Sequence, residues 1–169
     1  MIQLAELMKK ESVAEEYEKA FWLKQFGDIC RRMDLDVIYK SRIMRLYKES
    51  HNEEMTTQSI IEKETGHVVS EKYAKIISKW MIAHFRKKNS RNGIPFTIKK
   101  EIYDNQNGKC VICGNDLGTD WSKIHVDHIV PWDLVGDELD DNFQDLCEKC
   151  NEEKNASTNY IFLKMVGLK

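Results

Sequence analysis

"HVDHIVP", residues 125–131, sets two histidines and an aspartate within four positions and closes on a proline. A strand alternates its faces, so His125 and Asp127 would point one way, Val126 and His128 the other. Read alone, the stretch is a half-buried strand with solvated polar residues, stopped by Pro131. Its surroundings decide whether that is enough.

The chain has 169 residues, enough for one ordinary domain or two small ones. Hydrophobic residues make up 41% and charged residues 32%, the balance of a soluble globular protein. No apolar run approaches the roughly 20 residues that span a bilayer. The opening MIQLAELMKKES is too short and too soon charged for a secretory signal. The expectation is an intracellular, cytoplasmic protein that does not engage a membrane.

A net charge of −2 gives no global attraction to nucleic acid, but the charge is uneven. Arg86, Lys87, Lys88, Arg91, Lys99 and Lys100 form a basic stretch that reads either as solvated surface or as a cluster meeting a phosphate backbone. Between Asp133 and Glu153 the sign reverses, with Lys149 the one base among many carboxylates. An acidic stretch near an active site would repel phosphate unless a cation sat there.

Five cysteines occur. Cys30 stands alone in an apolar pattern and reads as a small core residue. The others form two CxxC pairs, Cys110 with Cys113 and Cys147 with Cys150. In a reducing compartment this spacing argues for a metal rather than disulfides. Two such turns complete a tetrahedral four-thiolate site, which suits zinc at about 2.3 Å from each sulfur; iron is the alternative. A closed site has no open position, so it would staple structure and not hydrolyse. The 33 residues between Cys113 and Cys147 therefore need their own explanation, and they contain the opening stretch.

Upstream, residues 12 to about 88 read as helical. Ser12 with Glu15 fits a capping box, and Val13, Tyr17 and Phe21 start an apolar stripe that Trp22, Phe26, Ile29 and Met33 continue. Further helices are expected around Tyr39, Ile43 and Leu46, and over Thr57–Glu64 up to Gly66. A fourth is expected after Ser70, with Tyr73, Ile76, Ile77, Trp80 and His84 on one face, His84 reading as a packed residue. "SIIEKETGHVVSEKYAKIISKWM", residues 59–81, has the outline of a helix-turn-helix that could bring Glu71, Lys72 and Lys75 to a DNA groove. Any two packed helices joined through glycine look the same. KKNSRNGIP, 87–95, reads as a connection, followed by a short helix over Phe96–Asn105.

The segment IHVDHIVP, the acidic loop WDLVGDELDD and NFQDLCEKCNEEKN together resemble the HNH nuclease family, over about residues 96–158. The family's His, Asn and final His or Asn correspond to His128, Asn142 and Asn151, with the CxxC pairs flanking the core. The resemblance implies an α+β fold: a helical N-terminal region, 1–90, for DNA positioning, specificity or dimerisation; a linker, 91–95; and a small zinc-stapled ββα-metal domain, 96–169. It implies a metal-dependent DNA endonuclease with His128 as general base and Asp127 and Asn151 as ligands of a catalytic Mg²⁺ or Mn²⁺. Asn142 would hold the loop near His128, and Lys154 would be either a backbone contact or an exposed helix lysine. His125 is equally a phosphate contact or a solvated strand residue.

The chemistry agrees on its own terms. Histidine can take a proton from water near neutral pH. A hard cation held by few oxygens can bind the phosphate and leaving oxygens. Asn in the third place favours Mg²⁺ over softer metals. One such site cuts one strand, so a double-strand break would need a homodimer or two events on duplex DNA. Restriction, defence or mobile-element biology is the expected setting. Two other readings stand beside it: a non-catalytic zinc-stapled DNA-binding or interaction module, and a nuclease acting on RNA.

Overall fold

The computed structural model describes residues 2–168, with side chains from Ser12 onward. Four helices come first: α1 (Ile2–Leu35), α2 (Val37–Glu49), α3 (Glu53–Thr65) and α4 (Glu71–Arg86). Asp36, Asn52 and Ser70 start α2, α3 and α4, each accepting a backbone N–H three residues on. Gly66 ends α3, as expected.

The expected capping box does not start a helix. α1 runs unbroken from Ile2, and Ser12 lies inside it, exposed. Glu15 instead forms an ion pair with Lys72 of α4. Val13 and Tyr17 remain exposed, and the buried face of α1 begins at Ala20 and continues through Trp22, Phe26, Ile29, Cys30 and Met33. That face meets Tyr39 and Ile43 of α2, Ile60 and Ile61 of α3, and Tyr73, Ile77 and Met81 of α4.

α4 is the central helix of this core, with Ala74 and Ile77 fully buried and its exposed strip formed by Glu71, Lys72, Lys75 and Lys79. His84, near its end, is buried and shares a 2.7 Å hydrogen bond between Nδ1 and the Leu134 carbonyl.

Residues 87–95 carry neither helix nor strand and lead to α5 (Phe96–Asn105). Then follow β1 (Ile124–His128), α6 (Trp132–Val135), β2 (Phe143–Cys147), α7 (Glu148–Lys154) and α8 (Tyr160–Met165). β1 and β2 pair antiparallel, with Asp127 opposite Gln144 and His128 opposite Phe143. Helices with a small two-stranded sheet make the fold α+β.

Two apolar clusters result. Val130, Leu134 and Val135, although they follow β1, pack into the helical core. A smaller cluster under the sheet consists of Cys110, Leu117, Ile124, Leu146 and Cys150, with Tyr103, Ile112 and Trp121 around it. α1 also clamps the C-terminal segment. A side chain on Gly27 would collide with the buried Thr158, whose Oγ1 accepts a 3.1 Å bond from Arg31.

Candidate active site and metal centre

The cysteine pairs sit on two structural turns. Cys110 and Cys113 lie in the loop after α5, and Cys147 and Cys150 bridge the end of β2 and the first turn of α7. Their four sulfurs all lie within 4.8 Å of one another, and the Cys113 and Cys147 sulfurs are 3.9 Å apart. Zinc–sulfur bonds of about 2.3 Å in a tetrahedron require sulfur–sulfur edges of about 3.8 Å. The four residues therefore fit zinc as they stand. Burial works to raise the Cys110 thiol, but backbone amides at Cys113, Cys147 and Ile112 draw it down to about 7, whereas at Cys147 and Cys150 burial prevails and pushes the thiols up.

Next to this centre, the end of β1 and the face of α7 border a cleft of about 440 Å³. Asp127, His128 and Asn151 all line it, with Arg91, Trp132 and Asn155. β1 ends in two unlike side chains. Asp127 accepts at Oδ2 from Gln144 Nε2 (3.0 Å) and pairs through the same oxygen with Lys154 Nζ (2.7 Å). Both contacts fall on Oδ2, and neither engages Oδ1. His128 is 4% exposed, its ring edge-on to Phe143 with centroids 4.8 Å apart.

Asn142 lies just before β2 and is buried. Its Oδ1 accepts from the Val130 N–H at 2.8 Å and its Nδ2 donates to the Val130 carbonyl at 2.9 Å. One amide side chain thereby satisfies both polar groups of a buried backbone unit and fixes the turn that leaves His128.

The HNH endonuclease family model matches residues 110–157. That segment is an HNH domain. No curated protein and no solved structure matches the chain. Nuclease activity or nucleic-acid interaction is what such a domain provides, with divalent metals as its usual helpers.

Around the HNH domain, the basic residues expected at a DNA backbone divide. Arg86, Lys88 and Lys100 are exposed, Lys100 beside Asp104 at 3.6 Å. Arg91 is exposed at the cleft, its guanidinium 5.5 Å from the centre of the Trp132 ring. Lys87 donates to the Asp133 carbonyl at 2.8 Å, and Lys99 to the carbonyls of Trp121 (2.9 Å) and Ile124 (2.6 Å). Lys154 departs furthest from expectation. It is 2% exposed, beneath the site, donating to the His128 carbonyl at 2.8 Å as well as pairing with Asp127. Buried there, it ties the end of α7 to the two strand-end residues and is not an exposed helix lysine. His125 is half-buried opposite Leu146.

One residue of the site was not anticipated: Asp137. Its Oδ1 lies 3.3 Å from His128 Nε2, and its Oδ2 accepts from the Asn92 N–H at 2.8 Å. Burial opposes its charge, yet the Asn92 amide and His128 hold its carboxyl below the usual range. For His128, burial lowers the pKa, the Asp137 bond opposes that, and Arg91 adds to it. In the sequence Asp137 is one acid among Asp133, Glu138, Asp140 and Asp141; only the glycine before it sets it apart. Among the described residues no helix is long and apolar enough to cross a membrane.

Proposed function

We propose that the protein is a metal-dependent DNA endonuclease, hydrolysing phosphodiester bonds with His128 as general base, and that zinc at the four cysteines is structural. The observation that carries this reading is the convergence of Asp127, His128 and Asn151 on one cleft. Asp127 Oδ1 and the Asn151 amide oxygen are hard donors suited to Mg²⁺ or Mn²⁺. Bound there, such an ion would supply charge stabilisation for the phosphate and the leaving oxygen.

The chain's own residues do the rest. His128 takes a proton from a water molecule as its oxygen forms a bond to phosphorus. The bond from phosphorus to the 3′-oxygen then breaks, and that oxygen is protonated by solvent water. Asn142 keeps the backbone after His128 in place, and Lys154 keeps Asp127 and the His128 carbonyl in register. Arg91, exposed at the cleft mouth, is the preferred contact to the scissile strand. Arg86, Lys88 and Lys100 extend the approach to duplex DNA. The N-terminal helices, 1–90, would then serve positioning, specificity or homodimerisation, the last supplying the second strand's cut. An intracellular role in restriction, defence or mobile-element biology suits such an enzyme.

Supercoiled plasmid incubated with the zinc-loaded protein and Mg²⁺ tests the reading. Nicked or linear product is expected, lost with EDTA and reduced roughly 100- to 10,000-fold by His128→Ala. A His128→Ala protein that cuts as fast as wild type would sink the mechanism. DNA binding without cleavage under any divalent ion would leave a zinc-stapled binding module, and cleavage of RNA alone would redirect the substrate.

A further inference from the structure

Gly136 closes α6 with φ +61° and ψ −143°, a region essentially confined to glycine. A Cβ there would also crowd Lys87, with its side chain 3.3 Å away. This turn sends the chain back toward β1, and the next residue, Asp137, meets His128. Both carboxylate oxygens are engaged: Oδ1 at His128 Nε2 and Oδ2 at the Asn92 N–H. The imidazole is therefore held from two sides, by the Phe143 ring and by a carboxylate anchored to the 87–95 connection. The Asp137 side chain is 15% exposed and that of His128 5%, so water competes little for this bond.

We propose that Asp137 is a positioning residue for His128: by accepting the Nε2–H it fixes the ring's orientation and tautomer, leaving Nδ1 as the nitrogen that takes the proton from water. A neutral imidazole carries one N–H and one lone pair, so a carboxylate at Nε2 assigns the lone pair to Nδ1. The 87–95 connection, through its Asn92 amide, thereby becomes part of what aligns the base. Asp133, Glu138, Asp140 and Asp141 share the loop, but among the described residues the acid bonded to the imidazole is Asp137. The inference rests on the nuclease reading for its catalytic meaning, though not for its geometry.

Two measurements on the full-length, zinc-loaded protein test it. In ¹⁵N-histidine-labelled protein above the titration range of the ring, His128 should be the Nε2–H tautomer. Its ring proton should be shifted downfield and protected from exchange, and both features should be lost in Asp137→Ala. A wild-type His128 carrying its proton on Nδ1 overturns the proposal, whatever the variant does. With plasmid and Mg²⁺, Asp137→Ala should lower kcat about 10- to 100-fold and leave KM unchanged, the size typical of losing a partner that orients a ligand or base. An unchanged kcat, or a raised KM alone, overturns it. Absence of cleavage by wild type, with the Nε2–H signal present, defeats the nuclease reading and leaves the geometry standing.

Discussion

The helical core gathers Phe26, Met33, Ile43, Ile61, Ile77 and Met81, all at most 1% exposed and drawn from four helices. The core beneath the two-stranded sheet has five buried members, and two of them, Cys110 and Cys150, are thiols of the metal cluster. The first can be held by apolar burial, at about 1.5–3 kcal/mol for each large side chain. The second cannot. A two-stranded sheet is marginal by itself, and so small a core needs a staple. The binding energy of a structural zinc, about 10–16 kcal/mol in small metal domains, is folding energy. Asp127, His128 and Asn151 stand on this second part, where zinc held by the four cysteines would add its rigidity to that of the hydrogen bonds.

The strongest test of this contrast is to remove one ligand. Cys150→Ser should abolish stoichiometric zinc and exchange protection of the amides in β1, β2 and α7. The amides of α4 should remain protected, as read by native-state hydrogen exchange. Equal loss in α4 would mean that the two cores unfold as one unit. Val130, Leu134 and Val135, which cross from one part into the other, are the contacts that would couple them.

The converse change attacks the helical side. Phe26 is completely buried, its ring 5.4 Å from that of Trp80. Phe26→Ala should cost about 3–5 kcal/mol, seen as a lower midpoint in denaturant. Zinc content in the folded protein should stay at its wild-type value.

A smaller effect is expected where the parts meet. Asn142→Ala leaves the buried N–H and carbonyl of Val130 without their partner and should cost about 1–3 kcal/mol. Because Val130 packs in the helical core while Asn142 precedes β2, the loss should appear in both units. A loss confined to the sheet would sharpen the division between them.

What the sequence allowed one to read follows the same division. The CxxC pairs and HVDHIVP were legible because metal ligation and strand alternation impose fixed spacings. Phe96–Asn105 and the Ser70 cap were legible from local signals, proline and serine ahead of a periodic stretch. The start of α1 was not: Ser12 and Glu15 have the residues of a capping box, but the chain before them is also helical, and a helix interior needs no cap. Nor was Lys154, a lysine on a short acidic helix whose partners, Asp127 and the His128 carbonyl, lie 27 and 26 residues back. Asp137 escaped for a related reason. Its role depends on the turn at Gly136, and nothing local distinguishes its carboxylate from its neighbours'.

His84 offers the finest test of how the two parts are joined, since it lies in α4 and bonds to Leu134 of α6. Its Nε2 is buried without a hydrogen bond, 3.6 Å from Asp34 Oδ1. Burial lowers its pKa; the bond to Leu134 and the charge of Asp34 oppose that, while Lys87 and Lys40 add to it. Below about pH 6.5 the unfolded chain therefore takes up a proton that the folded chain resists, so stability falls as pH drops. His84→Asn keeps a donor near the Leu134 carbonyl and removes the titration. The fall in Tm between pH 7.5 and 5.5 should be smaller in this variant than in wild type. An equal fall would mean that the junction opens before His84 is protonated, and that the helical and metal-bearing parts are less firmly docked than their shared core suggests.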